Sequence, residues 1–390
     1  MNKVLVVLLV FACLPIVSAQ DDERDSGGLL LGAADIGIGF GHVQRVNGIR
    51  FNWSDDGFDC VNGVNFTLWK PAPGAWDGTV NGFALGIVAP AAGEINGVGL
   101  SLGAVLAERH ATGIMTGGLA VVSKGDINGI AFGGLAVVGQ GSVTGAAISL
   151  GGIVSQRDLT GINIAGLGTV AQGDMTGINF AGLGTVSQGN MIGLNYAGLG
   201  TVAQGSMKGI NISGLGTVAQ GDMIGINLAG LGTVAQRDMW GINAAGLGLV
   251  AQGDMSGINF GGLGTVAQGS MVGLNFGGLG VVTQEELTGI NLTLGLIRAE
   301  RGATGFNVAL YKNESETITG INLGIVWTES SALTGMTVAG YNQTDGLQKG
   351  LTIGLLNYAE DLFGIQLGIL NIVESNPSWA RYLPLINARF

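Results

Sequence analysis

The chain has 390 residues, including 74 glycines and 6 prolines, and carries a net charge of −11 with only 11% of its residues charged. So weak and acidic a charge excludes the basic surface that nucleic-acid binding requires, and we expect no nucleic-acid partner. The glycines do not recur at every third position, which excludes a collagen helix.

Residues 1–19 have the pattern of a secretory signal peptide. Lys3 precedes an apolar run that is too short to span a membrane, and Ala19 ends a run of small residues typical of a cleavage site. Residues 20–44 follow as an N-terminal segment and entry strand. Cleavage would leave Cys60 as the only cysteine, so we expect an exported protein without an internal disulfide.

A repeat of about 16 residues fills residues 45–379. Each copy begins at a glycine, and 21 copies can be traced. The copies are most regular over 161–304, where a typical one reads GINIAGLGTVAQGDMT. A fixed period of this length indicates an array of similar units rather than one globular core. We expect residues 380–390 to cap or anchor the array.

The composition of the copies predicts an all-β fold. They are rich in Ile, Val, Thr and Phe, and a glycine every few residues would repeatedly break a helix. The apolar residues of one copy are separated by odd as well as even steps, which suggests corners between short strands. On this reading they all point inward and form the core; they are Met175, Ile178, Phe180, Leu183 and Val186.

Two architectures fit this pattern. One is a parallel β-solenoid with about 16 residues per coil, and the other is a transmembrane antiparallel β-barrel of about 22 strands. Near-identical neighbours favour the solenoid, because parallel stacking places every copy in the same environment. The mean hydropathy of +0.46 and the final Phe390 favour the barrel, which stays open as an alternative.

Three columns of equivalent residues run through the regular copies. The asparagines predict a structural ladder of side-chain amides. The methionines predict gap-filling core rather than a thioether metal site. The threonines, from Thr169 to Thr265, predict an exposed strand face, with an ice-binding surface as the alternative. The ladder would contain Asn163, Asn179, Asn195, Asn211, Asn227, Asn243, Asn259, Asn275 and Asn291.

The residue before each leading glycine varies in size and charge, which predicts that it is exposed. Four apolar residues at this position would form a contact stripe for a partner, for self-association or for a membrane. They are Ile192, Ile224, Trp240 and Val272.

No residue set indicates catalysis, a metal site or a cofactor. His42 and His110 have no matching nucleophile or ligands, and the aspartates around Gly57 lack the spacing of a calcium loop. The regular copies contain no pair of acidic residues typical of polysaccharide hydrolysis. We therefore expect a protein that is not an enzyme.

Several segments resemble uncharacterised bacterial surface-repeat proteins with Asn-Gly-Ile/Leu-x-Ile-Gly-Leu repeats. They are VNGIRFNW, VNGVNFTLWKP, INGIAFGGLAVVGQG, GLTIGLLNYAEDLFGIQLGILNIVESNP and the closing LPLINARF. The resemblance covers most of residues 45–390, although GLGTVAQ replaces the usual Gly-Leu-rich second half in the central copies. It implies a bacterial envelope location and no activity.

These features together predict an exported protein of the bacterial cell surface or outer membrane. Its expected role is structural or adhesive, with an unidentified surface or envelope partner and the possibility of membrane contact. The barrel alternative predicts an outer-membrane pore or transport protein instead.

Overall fold

The computed structural model describes residues 27–72 and 76–390. The chain divides into two compact units, Met1–Gly189 and Asn190–Phe390. The expected signal peptide and its cleavage site lie outside the described residues. Within the described ranges every regular element is a strand, and no helix there is long and apolar enough to cross a membrane.

The first unit contains sixteen of the strands. They are β1 Leu29–Ala33, β2 Ile36–Phe40, β3 Arg45–Asn52, β4 Cys60–Thr67, β5 Thr79–Gly86, β6 Ala91–Ser101, β7 Ala104–Gly117, β8 Ala120–Ser123, β9 Asp126–Gly133, β10 Ala136–Gly139, β11 Val143–Ser149, β12 Gly152–Ser155, β13 Leu159–Ala165, β14 Gly168–Ala171, β15 Met175–Ala181 and β16 Gly184–Ser187.

The second unit contains the remaining eighteen. They are β17 Met191–Ala197, β18 Gly200–Ala203, β19 Met207–Ser213, β20 Gly216–Ala219, β21 Met223–Ala229, β22 Gly232–Ala235, β23 Met239–Ala245, β24 Gly248–Ala251, β25 Met255–Gly261, β26 Gly264–Ala267, β27 Met271–Gly277, β28 Gly280–Thr283, β29 Glu286–Thr293, β30 Leu296–Ala309, β31 Lys312–Gly324, β32 Trp327–Val338, β33 Tyr341–Val373 and β34 Tyr382–Arg389.

Each regular coil consists of one long strand and one short strand. The long strand β19 pairs in parallel with β21, so that Met207 lies beside Met223 at an offset of 16 residues. The short strand β20 pairs in parallel with β22 in the same way. Each unit is therefore a stack of coils of about 16 residues, which confirms the predicted parallel β-solenoid.

Two turns connect the strands of a coil. The leucine turn, such as Gly214-Leu215, leads from the long strand to the short one. The polar turn, such as Gln220–Asp222, leads from the short strand to the next coil. Leucine turns and polar turns thus form separate rows along each stack.

The first and last strands pair differently. β1 is antiparallel to β2, and β34 is antiparallel to the end of β33. The other pairings described within either unit are parallel. The antiparallel barrel that the sequence left open is therefore wrong, because neighbouring strands of the repeat run in the same direction.

The distribution of apolar residues is the reverse of the predicted one. Met175 is fully buried as expected, but Ile178, Phe180, Leu183 and Val186 point outward and are 38–48% exposed. Side chains alternate strictly along each strand, so Met is followed by inward-facing Gly, Asn and Ala, while Ile and Phe face out. The expected core of Ile, Leu and Val is therefore wrong for this copy, whereas Ile95, Val137 and Ile153 of less regular coils are buried.

The interior contains small and polar residues besides methionine. Across β19 and β20 the buried residues are Met207, Asn211, Ser213, Thr217 and Ala219. Because four of these five side chains are small or short, the long and short strands of a coil enclose a thin interior. Methionine supplies the one bulky apolar column of each regular coil.

The leading glycine allows this close stacking. Gly225 has a φ of +119° and faces inward, and a Cβ built on it would lie 2.1 Å from the carbonyl oxygen of Gly209. An L-residue would therefore meet both an unfavourable φ and a backbone clash. This explains why the period of the repeat is marked by glycine.

Candidate functional site

The predicted asparagines lie in the interior and are fully buried. In the first unit, Asn163 Nδ2 donates to Asn179 Oδ1 at 2.8 Å. In the second unit, each amide donates to the next one from Asn195 to Asn291 at 2.8–2.9 Å. The chain of bonds continues through Asn307 to Asn322. This amide ladder satisfies polar groups that would otherwise be costly to bury.

Two further columns line the interior beside the ladder. Met191, Met207 and the later methionines of this column are fully buried, which confirms their prediction as core. The threonines of the third column, such as Thr201 and Thr217, are fully buried as well. The prediction of an exposed threonine face is therefore wrong, and the ice-binding interpretation loses its surface.

Aliphatic side chains cover the outside of the coils. They form three outer aliphatic columns, one on the long strand, one at the leucine turn and one on the short strand. In the second unit, the exposed members are Leu194, Ile210, Ile242, Ile258, Leu274 and Ile290; Leu199, Leu215, Leu231, Leu247, Leu263 and Leu279; and Val202, Val218, Val250 and Val266. Soluble monomers rarely expose contiguous apolar patches above a few hundred Å².

The predicted contact stripe is exposed and lies next to these columns. Ile192, Ile224, Trp240 and Val272 are all at least one third exposed, and Trp240 reaches 52%. The stripe is interrupted, because the parallel register places Lys208 between the two isoleucines. Ile224 and Trp240 are direct neighbours on adjacent coils.

The polar turns form the one row of the regular coils with continuous hydrogen-bonding groups on the outside. Asp238 Oδ1 accepts from the backbone N–H of Asp254 at 2.9 Å, and Asp254 Oδ1 accepts from Ser270 N at 2.8 Å. In the first unit, Asp158 Oδ1 accepts from Asp174 N at 2.9 Å. The acidic residues of the repeat therefore tie successive polar turns together.

A row of amides borders the polar turns in the first unit. Asn62 Nδ2 donates to Asn47 Oδ1 at 2.7 Å, and Asn81 and Asn96 continue the row at 2.9 and 3.1 Å. These residues precede the leading glycines, where the second unit has its apolar stripe. The same position thus carries a row of amides in the first coils and several apolar residues, interrupted by Lys208 and Ser256, in the second unit.

A buried ion pair replaces the ladder in the first coils. Arg50 Nη1 donates to Asp55 Oδ1 and to Asn65 Oδ1, both at 3.1 Å, and both charged side chains are fully buried. The ring of Phe58 lies 4.7 Å from the guanidinium. Burial lowers the pKa of Arg50 from its ordinary value, and the charge of Asp55 opposes this. Asp55 is therefore an interior anchor rather than a calcium ligand.

The structure gathers no catalytic or metal-binding set in the part of the chain that it describes. No group of three His, Cys, Asp or Glu side chains there has the geometry to hold a metal ion. His42 bonds the backbone oxygen of Asp56, and His110 lies 3.8 Å from Asp126. Cys60 is a free, half-buried thiol. The most unusual surface is therefore the apolar exterior.

Sequence reasoning missed this exterior because it assigned the aliphatic residues to the core. A signal was present in the alternation itself. Counting from Met207, every second residue of the long strand is Met, Gly, Asn or Ser, and the intervening residues include Ile210 and Ile212. Alternation therefore placed the isoleucines opposite the methionine.

Comparison with known proteins adds no function to this surface, since no protein-family model, curated protein or solved structure matches the chain.

Proposed function

We propose that this protein is an exported structural component of the bacterial cell envelope that binds a lipid layer through the outer aliphatic columns. The observation that carries the proposal is the inverted distribution of polarity. Asn and Thr lie in the interior, while Ile, Leu and Val are exposed in successive coils. Such an exterior is costly in water and favourable in hydrocarbon.

The position of the columns favours lipid over a single protein partner. The three outer columns lie on the long strand, at the leucine turn and on the short strand. A second copy or another protein of ordinary interface size covers about 800 Å² on one side. A partner of this size would leave the apolar residues outside the interface in water, whereas a lipid layer can contact all three columns at once.

The backbone is compatible with lipid contact. Lipid tolerates only structures that satisfy their own N–H and C=O groups. Within each unit the strands of the inner coils pair with both neighbouring coils, and the leucine turns bond in the same way, as in Leu215 N to Leu199 O at 2.7 Å. Apolar side chains and a paired backbone therefore meet the lipid together.

The polar turns determine how the coils are oriented relative to the lipid layer. Gln204, Gln220 and Gln236 are exposed there, and ion pairs such as Arg237 with Asp222 form beside them. Lys208 lies near this row and can extend its ammonium group to water. The coils would therefore insert with the leucine turns deepest and leave the polar turns in water.

Export and the bacterial envelope enter the proposal from the sequence. They are supported by the signal-peptide pattern of residues 1–19 and by the resemblance to bacterial surface-repeat proteins. The net charge of −11 makes the binding hydrophobic rather than electrostatic. We therefore expect the protein to bind zwitterionic lipid and to remain bound at high salt.

Vesicle flotation tests this function. The full chain is purified in detergent, and the detergent is then removed in the presence of phosphatidylcholine vesicles. We expect the protein to float with these vesicles. Changing Leu199, Leu215, Leu231 and Leu247 to Gln should weaken flotation, because the leucine turns insert deepest. The matched control changes Gln204, Gln220, Gln236 and Gln252 to Ser and should float normally. A chain that stays soluble without vesicles and does not float would overturn the proposal and leave an adhesive role.

A further inference from the structure

One coil of the second unit departs from its neighbours on its outer face. Along the long strands, the third residue after the leading glycine is Ile212, Leu228, Ala244 and Phe260 in successive coils. Ala244 is therefore a small residue between two large ones. The same strand, β23, also carries Trp240, the most exposed residue of the contact stripe.

The missing side-chain volume leaves a shallow notch in the outer surface. Its volume is about 300 Å³, and its walls include Ile212, Leu228, Ala244 and Phe260. This volume is at the lower end of the range for ligand pockets, which is about 300–1,000 Å³. The notch can therefore hold part of a slender ligand but not a folded element.

The polar atoms of the notch are already engaged. Among the residues that line the notch, only Ser213 has a side-chain hydroxyl, and this group bonds to Thr217 Oγ1 at 2.8 Å in the interior. The backbone N–H groups of Gly230 and Gly246 bond to carbonyl groups of the preceding coils at 3.1 and 3.3 Å. No donor or acceptor is directed at an occupant, so the occupant must be a hydrocarbon.

We propose that this notch binds a segment of one lipid acyl chain, with Trp240 at the level of the lipid headgroups; the proposal rests on the lipid binding proposed above. Ile242, an exposed member of the outer aliphatic columns, lies two residues before Ala244 on the outward-facing side of the same strand. Ala244 lies toward the leucine turn and Trp240 toward the polar turn. The two residues are four positions apart along the strand, a distance of about 13 Å. Indole rings favour the boundary between water and hydrocarbon.

Photo-crosslinking can test the site directly. Vesicles of phosphatidylcholine would contain a phosphatidylcholine with a diazirine in its acyl chain, and mass spectrometry would map the crosslinked residues of the full chain. We expect crosslinks to concentrate on Leu228, Ala244 and Phe260. Ala244→Leu fills the notch and should reduce crosslinking there severalfold while leaving flotation unchanged.

A matched variant and two contrary outcomes complete the test. Gln252→Leu changes an exposed residue of a polar turn, outside both the notch and the outer aliphatic columns, and should leave the crosslink pattern unchanged. Crosslinks that spread evenly over all coils and do not respond to Ala244→Leu would overturn the proposal that the notch binds an acyl chain. If flotation were normal in that case, the proposed lipid binding would stand. Failure of the unaltered chain to float would instead overturn the proposed function.

Discussion

At the scale of single residues, the fold depends on asparagine and glycine at fixed places in each coil. Asn227 donates to Asn243 and accepts from Asn211, both at 2.8 Å. Gly225 lies two residues earlier on the same strand and faces the backbone of the preceding coil. The first residue supplies polar contacts between coils, and the second allows the coils to approach.

We expect Asn227→Leu to destabilise the second unit by about 1–3 kcal/mol, because it leaves Asn211 and Asn243 each with a buried unpaired group. Thermal unfolding monitored by circular dichroism measures the effect. Asn128→Leu is the control, since Asn128 is exposed. An equal effect of both changes would mean that the ladder contributes nothing specific.

We expect Gly225→Ala to destabilise the second unit at least as much as Asn227→Leu does. The backbone conformation alone should cost about 1–3 kcal/mol of unfolding free energy, and the clash with Gly209 should add to this loss. Gly232→Ala is the matched control in the same unit. Its Cβ would have no neighbour closer than Gly248 O at 3.8 Å, and its φ is not positive. Urea unfolding of the two variants should separate them clearly, and similar midpoints would contradict the packing argument.

At the scale of strands, the sequence predicted the elements better than their faces. The period, the corners at glycine and the buried methionines followed from spacing alone. The faces did not, because the expectation that aliphatic residues are buried was applied to Ile178 and Val186. Parallel stacking lets the Asn side chains bond to one another in the interior, so polarity no longer predicts which face is buried.

The first strands are held by the buried pair of Arg50 and Asp55. Asp55→Ala should destabilise the first unit by about 3–5 kcal/mol, because it leaves an uncompensated buried charge. Adding Arg50→Met to this variant should recover part of the loss. Chemical denaturation of both variants gives the measurement; a double variant less stable than Asp55→Ala would show that Arg50 contributes independently of the pair.

The final strand β34 should respond to acid. Ser375 Oγ, the backbone N–H of Leu362 and Arg389 lower the pKa of Asp361 from its ordinary value. A lowered pKa stabilises the fold above the ordinary value and loses this contribution as the pH falls through the folded value. The protection factors of Tyr382–Arg389 in hydrogen exchange, which are corrected for the intrinsic pH dependence of the exchange rate, should therefore fall below about pH 4. Asp361→Asn should exchange faster already at neutral pH and lose this pH dependence.

At the scale of the whole molecule, sequence reasoning identified the repeat and the β class, and it favoured parallel stacking over the antiparallel barrel. Composition and mean hydropathy could not reveal the aliphatic exterior, because they are the same whichever face points outward; only the alternation along each strand carried that signal. The notch at Ala244 was equally hidden, since a single alanine has meaning only beside Leu228 and Phe260 of adjacent coils.

Fractionation of cells that produce the protein should reflect the inverted polarity. Washing membranes with high salt or carbonate should leave the chain in the pellet, because its contacts are apolar and weakly charged. Detergent should release it. Release by salt alone would indicate a peripheral attachment and would favour adhesion to another envelope component.

The uniform contact between coils also bears on how such a chain can change over generations. Met207 meets Met223 as Met223 meets Met239. A recombination event that adds or removes one whole repeat therefore joins two surfaces that already fit. Gene copies of different length would then encode foldable proteins, and selection could adjust the extent of the array without redesigning any part of it.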